Sequence, residues 1–145
     1  MLYVCITIAT GDWRNAARAY EGLGTTPAAR NPVILNNLAY AYSQIGDRRA
    51  IPTAEAALKG APNAPEVKDT LGWLLFSTKA DPKRGLALLE QAARGAPRNP
   101  TIRYHLGMAY RASGQRAQAR TELQAALAAG PFPEANAARQ ALSTL

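Results

Sequence analysis

The sequence predicts an all-helical protein built from repeated helix pairs. Alanine and leucine dominate the 145 residues, and β-branched residues are sparse after the first ten positions, which favours helix over sheet. Residues of the set AVILMFWYC make up 48% of the chain, enough for a sizeable apolar interior. Three similar segments also follow one another at nearly constant spacing, which indicates stacked two-helix units within a single array.

The repeat is visible in prolines and leucines at equivalent positions. The spacing from Pro62 to Pro97 is 35 residues, and from Pro97 to Pro131 it is 34. The leucines that open the three segments are 33 and 35 residues apart, and they are Leu38, Leu71 and Leu106. Each proline stops one helix and forces the next to start anew.

Apolar periodicity and end signals together place the helices. Six helices are predicted, over 33–45, 48–59, 66–79, 82–95, 100–113 and 116–129. Asp81 and Pro82 form an N-cap followed by proline at the first helical position. Pro52 must lie in the first turn of its helix, because a deeper proline would kink it. The array is thus divided into a partial leading repeat (1–30), three repeats (31–64, 65–98 and 99–131) and a final helix within 132–145.

These landmarks resemble those of the tetratricopeptide (TPR) repeat, whose period is 34 residues. The third unit matches best, with Leu106, Gly107 and Tyr110 followed by Ala119 and Pro131. The resemblance implies a TPR α-solenoid, that is, a right-handed superhelix of antiparallel helix pairs with a C-terminal cap helix.

Small residues and length changes refine this expectation. Ala39, Gly72 and Gly107 are expected where the two helices of a unit cross closely. The first unit is one residue short within 46–50, and the second has one extra residue near Lys79. Both changes should lie in the turn between two helices, where length changes are tolerated.

No arrangement of side chains predicts catalysis, a metal site or a cofactor. His105 is the only histidine and Cys5 the only cysteine, so neither has the partners that a metal site would need. No glycine-rich phosphate loop is present. Glu21, Glu55 and Glu90 recur at equivalent places in the second helices, which marks a repeat position and not a catalytic pair. The chain is therefore predicted not to be an enzyme.

Charge leaves a further alternative open. The chain carries 17 Lys and Arg against 10 Asp and Glu, a net charge of +7, which could attract an acidic partner or nucleic acid. The basic residues are scattered and form no run of five, so nucleic-acid binding is not favoured.

The TPR resemblance implies that the first helix of each unit lines an inner groove that holds a protein or peptide. Aromatic anchors with a few polar neighbours suit such a groove. For Trp73 and Phe76, packing inside the helix stack is the open alternative. Lysine is absent from the predicted groove positions, so a clamp for a terminal carboxylate is not supported. The predicted peptide-binding residues are Asn36, Asn37, Tyr40, Asp69, Thr70, Trp73, Tyr104, His105, Met108 and Arg111.

The N-terminal end suggests self-assembly as an alternative function. The apolar segment 2–9 would form a short first helix and is too short to span a bilayer. No transmembrane segment is predicted. Because no capping helix precedes this segment, the end could stack on a second copy and form a homo-oligomer.

A narrower resemblance bears on localisation. The segments 36–40, 69–73 and 103–107 are similar to the C-terminal repeats of bacterial TPR lipoproteins that accompany exosortase-type sorting and exopolysaccharide export. That family would imply a periplasmic scaffold in envelope assembly. Otherwise the protein would be cytoplasmic, and localisation stays open.

Overall fold

The computed structural model describes residues 11–145, which form helices and no strand. The all-helical fold class is therefore confirmed. The six helices predicted from the repeat agree with the structure to within two residues at each end. The predicted helix 2–9 and Cys5 lie outside the described residues. The helices are α1 (Trp13–Glu21), α2 (Pro32–Gln44), α3 (Ala50–Gly60), α4 (Pro65–Ser77), α5 (Pro82–Gly95), α6 (Pro100–Ala112), α7 (Arg116–Ala128) and α8 (Ala135–Ser143), with a 3-10 helix at Pro27–Arg30.

Proline and short polar side chains start most of these helices. Proline occupies the first position of α2, α4, α5 and α6, where its missing N–H costs nothing. Asn31 and Asn99 cap α2 and α6 by accepting hydrogen bonds from backbone N–H groups of the first turn. Asp81 caps α5 through the backbone N–H of Arg84 at 3.1 Å, as predicted. Pro52 is the third residue of α3 and so lies in its first turn, also as predicted.

Residue contacts divide the chain into two compact units, one of residues 1–63 and one of residues 64–145. In the first unit, α2 and α3 form an antiparallel pair and α1 packs on α2. The interior of this pair is made mainly of alanine, with Ala39 and Ala54 fully buried. Tyr42 fills the remaining space and is 3% exposed. The small residue predicted at the crossing, Ala39, is therefore in a tightly packed position.

The second unit contains two helix pairs, α4–α5 and α6–α7, followed by α8. Gly72 and Gly107 lie at the crossings of the two pairs, as predicted. A Cβ atom at Gly72 would be 2.9 Å from the carbonyl oxygen of Gly85, and one at Gly107 would be 2.8 Å from Cγ of Leu123. Side chains of α5 and α6 form a buried cluster, which comprises Leu89, Ala92, Ala93, Ile102, Leu106 and Ala109.

The extra residue of the second repeat lies in the turn between α4 and α5. The backbone N–H of Asp81 donates to the carbonyl of Leu75, six residues earlier, whereas that of Gln115 donates to Tyr110, five residues earlier. Lys79 has a φ of 61° in the longer turn, and Gly114 has a φ of 78° in the shorter one. The insertion is thus absorbed where no helix packing depends on it.

The end of α5 contacts the start of α4. A Cβ atom at Gly95 would lie 2.8 Å from Cγ of Pro65. The first unit repeats this contact, since a Cβ at Gly60 would lie 2.7 Å from Cγ of Pro32. Among residues 11–145, no helix is both long and apolar enough to cross a membrane.

Candidate functional site

The predicted groove residues of the second unit lie on α4 and α6, and two of them line an open depression. This depression has a volume of about 250 Å³ and is bounded on one side by α6 and on the other by α8. Met108 and Arg111 form the α6 side. The α8 side consists of Ala137, Gln140, Ala141 and the following Thr144.

Arg111 is oriented by the end of α8. Its Nη2 donates a hydrogen bond of 2.9 Å to Oγ1 of Thr144, which in turn donates to the carbonyl of Ala141 at 3.0 Å. Arg111 is exposed and forms no ion pair with a carboxylate of residues 64–145. The guanidinium is therefore held at the edge of the depression, and no carboxylate of residues 64–145 pairs with it.

His105 and Asp69 are buried and bind each other. Each is 7% exposed, and Nδ1 of His105 lies 2.8 and 2.9 Å from the two carboxylate oxygens of Asp69. The sequence places His105 on a helix without metal-binding partners, which predicts a surface or groove position. The surface position is wrong, because the residue is buried. The pair links α4 to α6, and a role for either residue in peptide binding stays a prediction.

Trp73 covers the histidine ring. The two rings are stacked, with centroids 4.6 Å apart and an interplanar angle of 13°. Trp73 and Phe76 are both partly buried and pack against the α5–α6 cluster. Phe76 also approaches Gly85, since a Cβ at that glycine would be 3.1 Å from its Cβ. Both aromatic residues therefore contribute to the interior, and each keeps part of its side chain accessible.

Tyr104 lies between the buried pair and the link to α8. Its ring centroid is 5.7 Å from that of His105 and 6.2 Å from that of Phe132. Burial, with a smaller contribution from the charge of Glu134, raises the pKa of Tyr104. Thr70 is partly buried, and its hydroxyl donates to the carbonyl of Glu66 in its own helix at 3.1 Å.

The three predicted groove residues of the first unit lie on α2. Tyr40 is 37% exposed and contacts the ring of Trp13 edge to face, with centroids 5.2 Å apart. Asn37 is partly exposed. Asn36 has its Oδ1 buried, and this atom accepts no hydrogen bond within residues 11–145. The structure thus brings together four predicted residues of α4 and α6, Asp69, Trp73, Tyr104 and His105. Met108 and Arg111 line the depression, and the predicted residues of α2 belong to the other unit.

Sequence reasoning missed the contribution of α8. The sequence predicts only a cap helix here, yet Ala137, Gln140 and Thr144 line the depression with α6. Phe132 precedes α8, and its ring lies near that of Tyr104. Extending the repeat alignment past Pro131 would have placed α8 where the first helix of a further unit belongs.

The recurring glutamates have a structural role in both units. Tyr42 donates to Glu21 at 2.7 Å, and Tyr110 donates to Glu90 at 2.9 Å. Burial, followed by the hydrogen bond to the neighbouring glutamate, raises the pKa of each tyrosine to about 12. These hydrogen bonds join a helix to the first helix of the next pair, which agrees with a repeat position.

A second cleft lies between α5 and α7. It has a volume of about 490 Å³ and contains none of the predicted groove residues. Its charges are partly paired, since Arg103 binds Glu122 at 2.6 Å and Glu90 accepts from Tyr110. Within residues 11–145, no group of three or more His, Cys, Asp or Glu side chains could hold a metal ion.

Comparison with known proteins supports the repeat assignment. Residues 78–142 match the family model for the tetratricopeptide repeat. No curated protein matches the chain. A thermophilic TPR protein from Thermus thermophilus is 22% identical, with a TM-score of 0.82 over 99% of this chain and 78% of its own. The chain therefore has the TPR fold, in which helix pairs stack on one another.

Two further solved structures share this fold. MamA is 22% identical, with a TM-score of 0.70 over 94% of this chain and 78% of its own. YrrB, described as a TPR protein with an unusual peptide-binding site, is 16% identical, with a TM-score of 0.66 over 90% of this chain and 66% of its own. At these identities the likeness shows the fold alone. None of the comparisons shows the resemblance to exosortase-associated lipoproteins.

Proposed function

We propose that this chain is a protein-interaction scaffold that holds a peptide or an extended protein segment against the first helices of its repeats. The observation that carries the proposal is the depression between α6 and α8, because Met108 and Arg111 line it and were both chosen from the sequence as groove residues. A TPR fold and the described peptide-binding site of YrrB support the same class of ligand.

The first helices of the second unit, α4 and α6, carry the residue types that peptide recognition requires. Trp73 and Tyr104 are partly accessible aromatic residues, and Met108 adds an adaptable apolar side chain. Asp69 and His105 would contribute indirectly, since Asp69 binds the histidine ring and that ring stacks on Trp73. Substitution of either buried residue would disturb folding, so binding is better tested at the accessible aromatic residues.

The proposal is tested by selecting binders from a library of random twelve-residue peptides displayed on phage, using the full chain as bait. The combined variant Trp73→Ala and Tyr104→Ala should weaken the selected peptides by at least about tenfold. A matched control replaces two exposed side chains of the second helices, Gln91→Ala and Gln118→Ala, and should bind normally.

Folding must be checked alongside binding, because Trp73 also packs against the interior. Circular dichroism and thermal unfolding identify variants that have lost structure. The selected peptides should bind equally as free acids and as C-terminal amides, since no lysine clamp is present among the predicted positions. Failure to select any peptide, or equal affinity for the aromatic and control variants, would remove the proposed function.

A role in bacterial envelope or export assembly is the narrower form of this proposal. It rests on the similarity of segments 36–40, 69–73 and 103–107 to export-associated TPR lipoproteins. Fractionation of cells that express the natural protein would test it, and recovery in the cytoplasm alone would contradict it.

Self-assembly and nucleic-acid binding stay predictions. The segment 2–9, through which a second copy would stack, lies outside the described residues. A strict monomer at high concentration would rule out stacking. Nucleic-acid binding would lose affinity steeply with added salt, and its absence at low salt would dismiss it.

A further inference from the structure

The final helix forms half of the depression described above. Met108, Ala137 and Ala141 provide an apolar floor, whereas Arg111, Gln140 and Thr144 provide a polar edge. Because residues of α6 and of α8 line the same depression, α8 would contact any ligand that binds there.

The size of the depression restricts its occupant. Its volume of about 250 Å³ falls below the range of roughly 300–1,000 Å³ that is usual for sites of drug-sized ligands and cofactors. An apolar floor of this size suits one side chain of a longer segment. The open edges allow that segment to continue on both sides along α6 and α8.

The charge at the edge of the depression is positive, and within residues 64–145 it has no paired carboxylate. Residues 64–145 contain 11 Lys and Arg against 6 Asp and Glu. Three of those acidic side chains are engaged elsewhere, Asp69 with His105, Glu122 with Arg103 and Glu90 with Tyr110. Arg111 forms no ion pair within this unit, and Thr144 holds its guanidinium at the rim.

We infer that the depression between α6 and α8 recognises an apolar side chain with an aspartate or glutamate one or two residues away in the partner segment. The inference rests on the proposed peptide-binding function and specifies its ligand. The apolar side chain fills the space over Met108 and Ala141. The neighbouring carboxylate binds the guanidinium of Arg111, which accepts planar, two-oxygen partners well.

The phage selection described above also tests this inference. Selected peptides should be enriched in Leu, Ile, Met or Phe with Asp or Glu within two residues. Arg111→Gln should weaken a synthetic peptide of the enriched sequence by about tenfold or more, because a charge-assisted hydrogen bond is lost. Replacement of the acidic residue by its amide should cost a similar factor, and it should cost little in the Arg111→Gln background.

Arg139→Gln is the matched control. It removes the same charge from the same end of the chain, but the guanidinium of Arg139 is exposed and bonds to Asn136 of its own helix. This control should bind like the unsubstituted chain. A second variant, Ala137→Phe, fills the depression from α8 and should also reduce binding.

The outcomes separate the two proposals. Peptides that depend on Trp73 and Tyr104 but bind equally to Arg111→Gln, or that lack an enriched acidic residue, would overturn the inference and leave the scaffold function in place. Equal loss in Arg111→Gln and Arg139→Gln would indicate a non-specific charge effect and would also overturn it. Absence of any binder would remove both proposals.

Discussion

The pairs α4–α5 and α6–α7 follow the same plan but pack differently at their crossings. In α4–α5, Gly72 faces Gly85 with backbone against backbone, so a Cβ at Gly85 would be 2.7 Å from a carbonyl oxygen and 2.8 Å from the backbone nitrogen of Phe76. In α6–α7, Gly107 faces the side chain of Leu123, and Ala119 is buried in that pair. At one crossing backbone meets backbone, and at the other backbone meets the buried side chain of Leu123.

The largest expected effect is at the glycine-to-glycine crossing. Gly85→Ala should lower the free energy of unfolding by about 2 kcal/mol, because the backbone must separate and the better helix propensity of alanine offsets only part of the cost. Gly107→Ala should cost less, about 1 kcal/mol, because shifting the buried side chain of Leu123 costs less than separating two backbones. Urea unfolding of the two variants measures the difference. Equal destabilisation would mean that the two crossings do not differ in rigidity.

The two pairs should also respond differently to high pH. Tyr110 of α6 has a pKa raised to about 12 by burial and by its hydrogen bond to Glu90, whereas the residue at the equivalent place in α4 is the non-ionising Leu75. A folded-state pKa above that of the unfolded chain gives stability that is fully present below the unfolded pKa of about 10. This contribution is lost as the pH rises from about 10 towards 12.

Tyr110→Phe is the corresponding variant. It should cost about 1 kcal/mol at neutral pH through the lost hydrogen bond and should reduce the fall in stability at high pH. Thermal unfolding across this pH range measures both effects. Tyr42 has the same raised pKa, so the double variant Tyr42→Phe and Tyr110→Phe provides the reference. If Tyr110→Phe left the pH dependence of stability unchanged, ionisation of Tyr110 would not cause the loss of stability at high pH.

The two pairs also differ in how the N-terminus of the second helix is capped, with a smaller expected effect on stability. Asp81 caps α5 with its side chain, whereas Gln115 at the start of α7 makes no such hydrogen bond. Gln115→Asp should therefore stabilise the chain by about 1 kcal/mol, and Asp81→Ala should destabilise it by a similar amount. Chemical denaturation of both variants tests the pair, and a destabilised Gln115→Asp chain would be the opposite of the expected result.

The smallest effect is expected in the turns. Lys79 has a φ of 61°, a left-handed conformation that Gly114 adopts in the other pair at 78°. Lys79→Gly should stabilise the chain by about 0.5 kcal/mol, because relief of strain exceeds the added flexibility of the unfolded chain. Gly114→Ala should destabilise it. The sign of each change in melting temperature is the measurement.

Much of the fold could be predicted because helix ends carry local signals. Proline at the first helical position and the regular spacing of leucines located six helices, and neither signal depends on distant parts of the chain. The place of the extra residue near Lys79 was also predictable, because only the turn could accept it. The close approach of α4 and α5 at Gly85 was not predicted, although Gly85 aligns with Ala119 of the third repeat, which matches the TPR landmarks best.

The site was harder to predict, because its key contacts join residues far apart in sequence. His105 and Asp69 are 36 residues apart, and apolar periodicity does not report which polar side chains meet between neighbouring repeats. Trp73 could not be assigned to groove or interior, since its ring packs on the buried histidine on one side and stays partly accessible on another. The wall supplied by α8 was overlooked because the last helix falls outside the three full repeats.

The contact of Pro65 with Gly95 has a consequence for how such a chain can grow. Because the ring of Pro65 packs on Gly95, the first residue of α4 lies next to the last residue of α5. The helix pair therefore begins and ends at the same place. A copied gene segment encoding residues 65–98 could then be inserted in tandem without lengthening any connection. Proteins of this kind can change their number of modules by duplication while each module keeps its own internal packing.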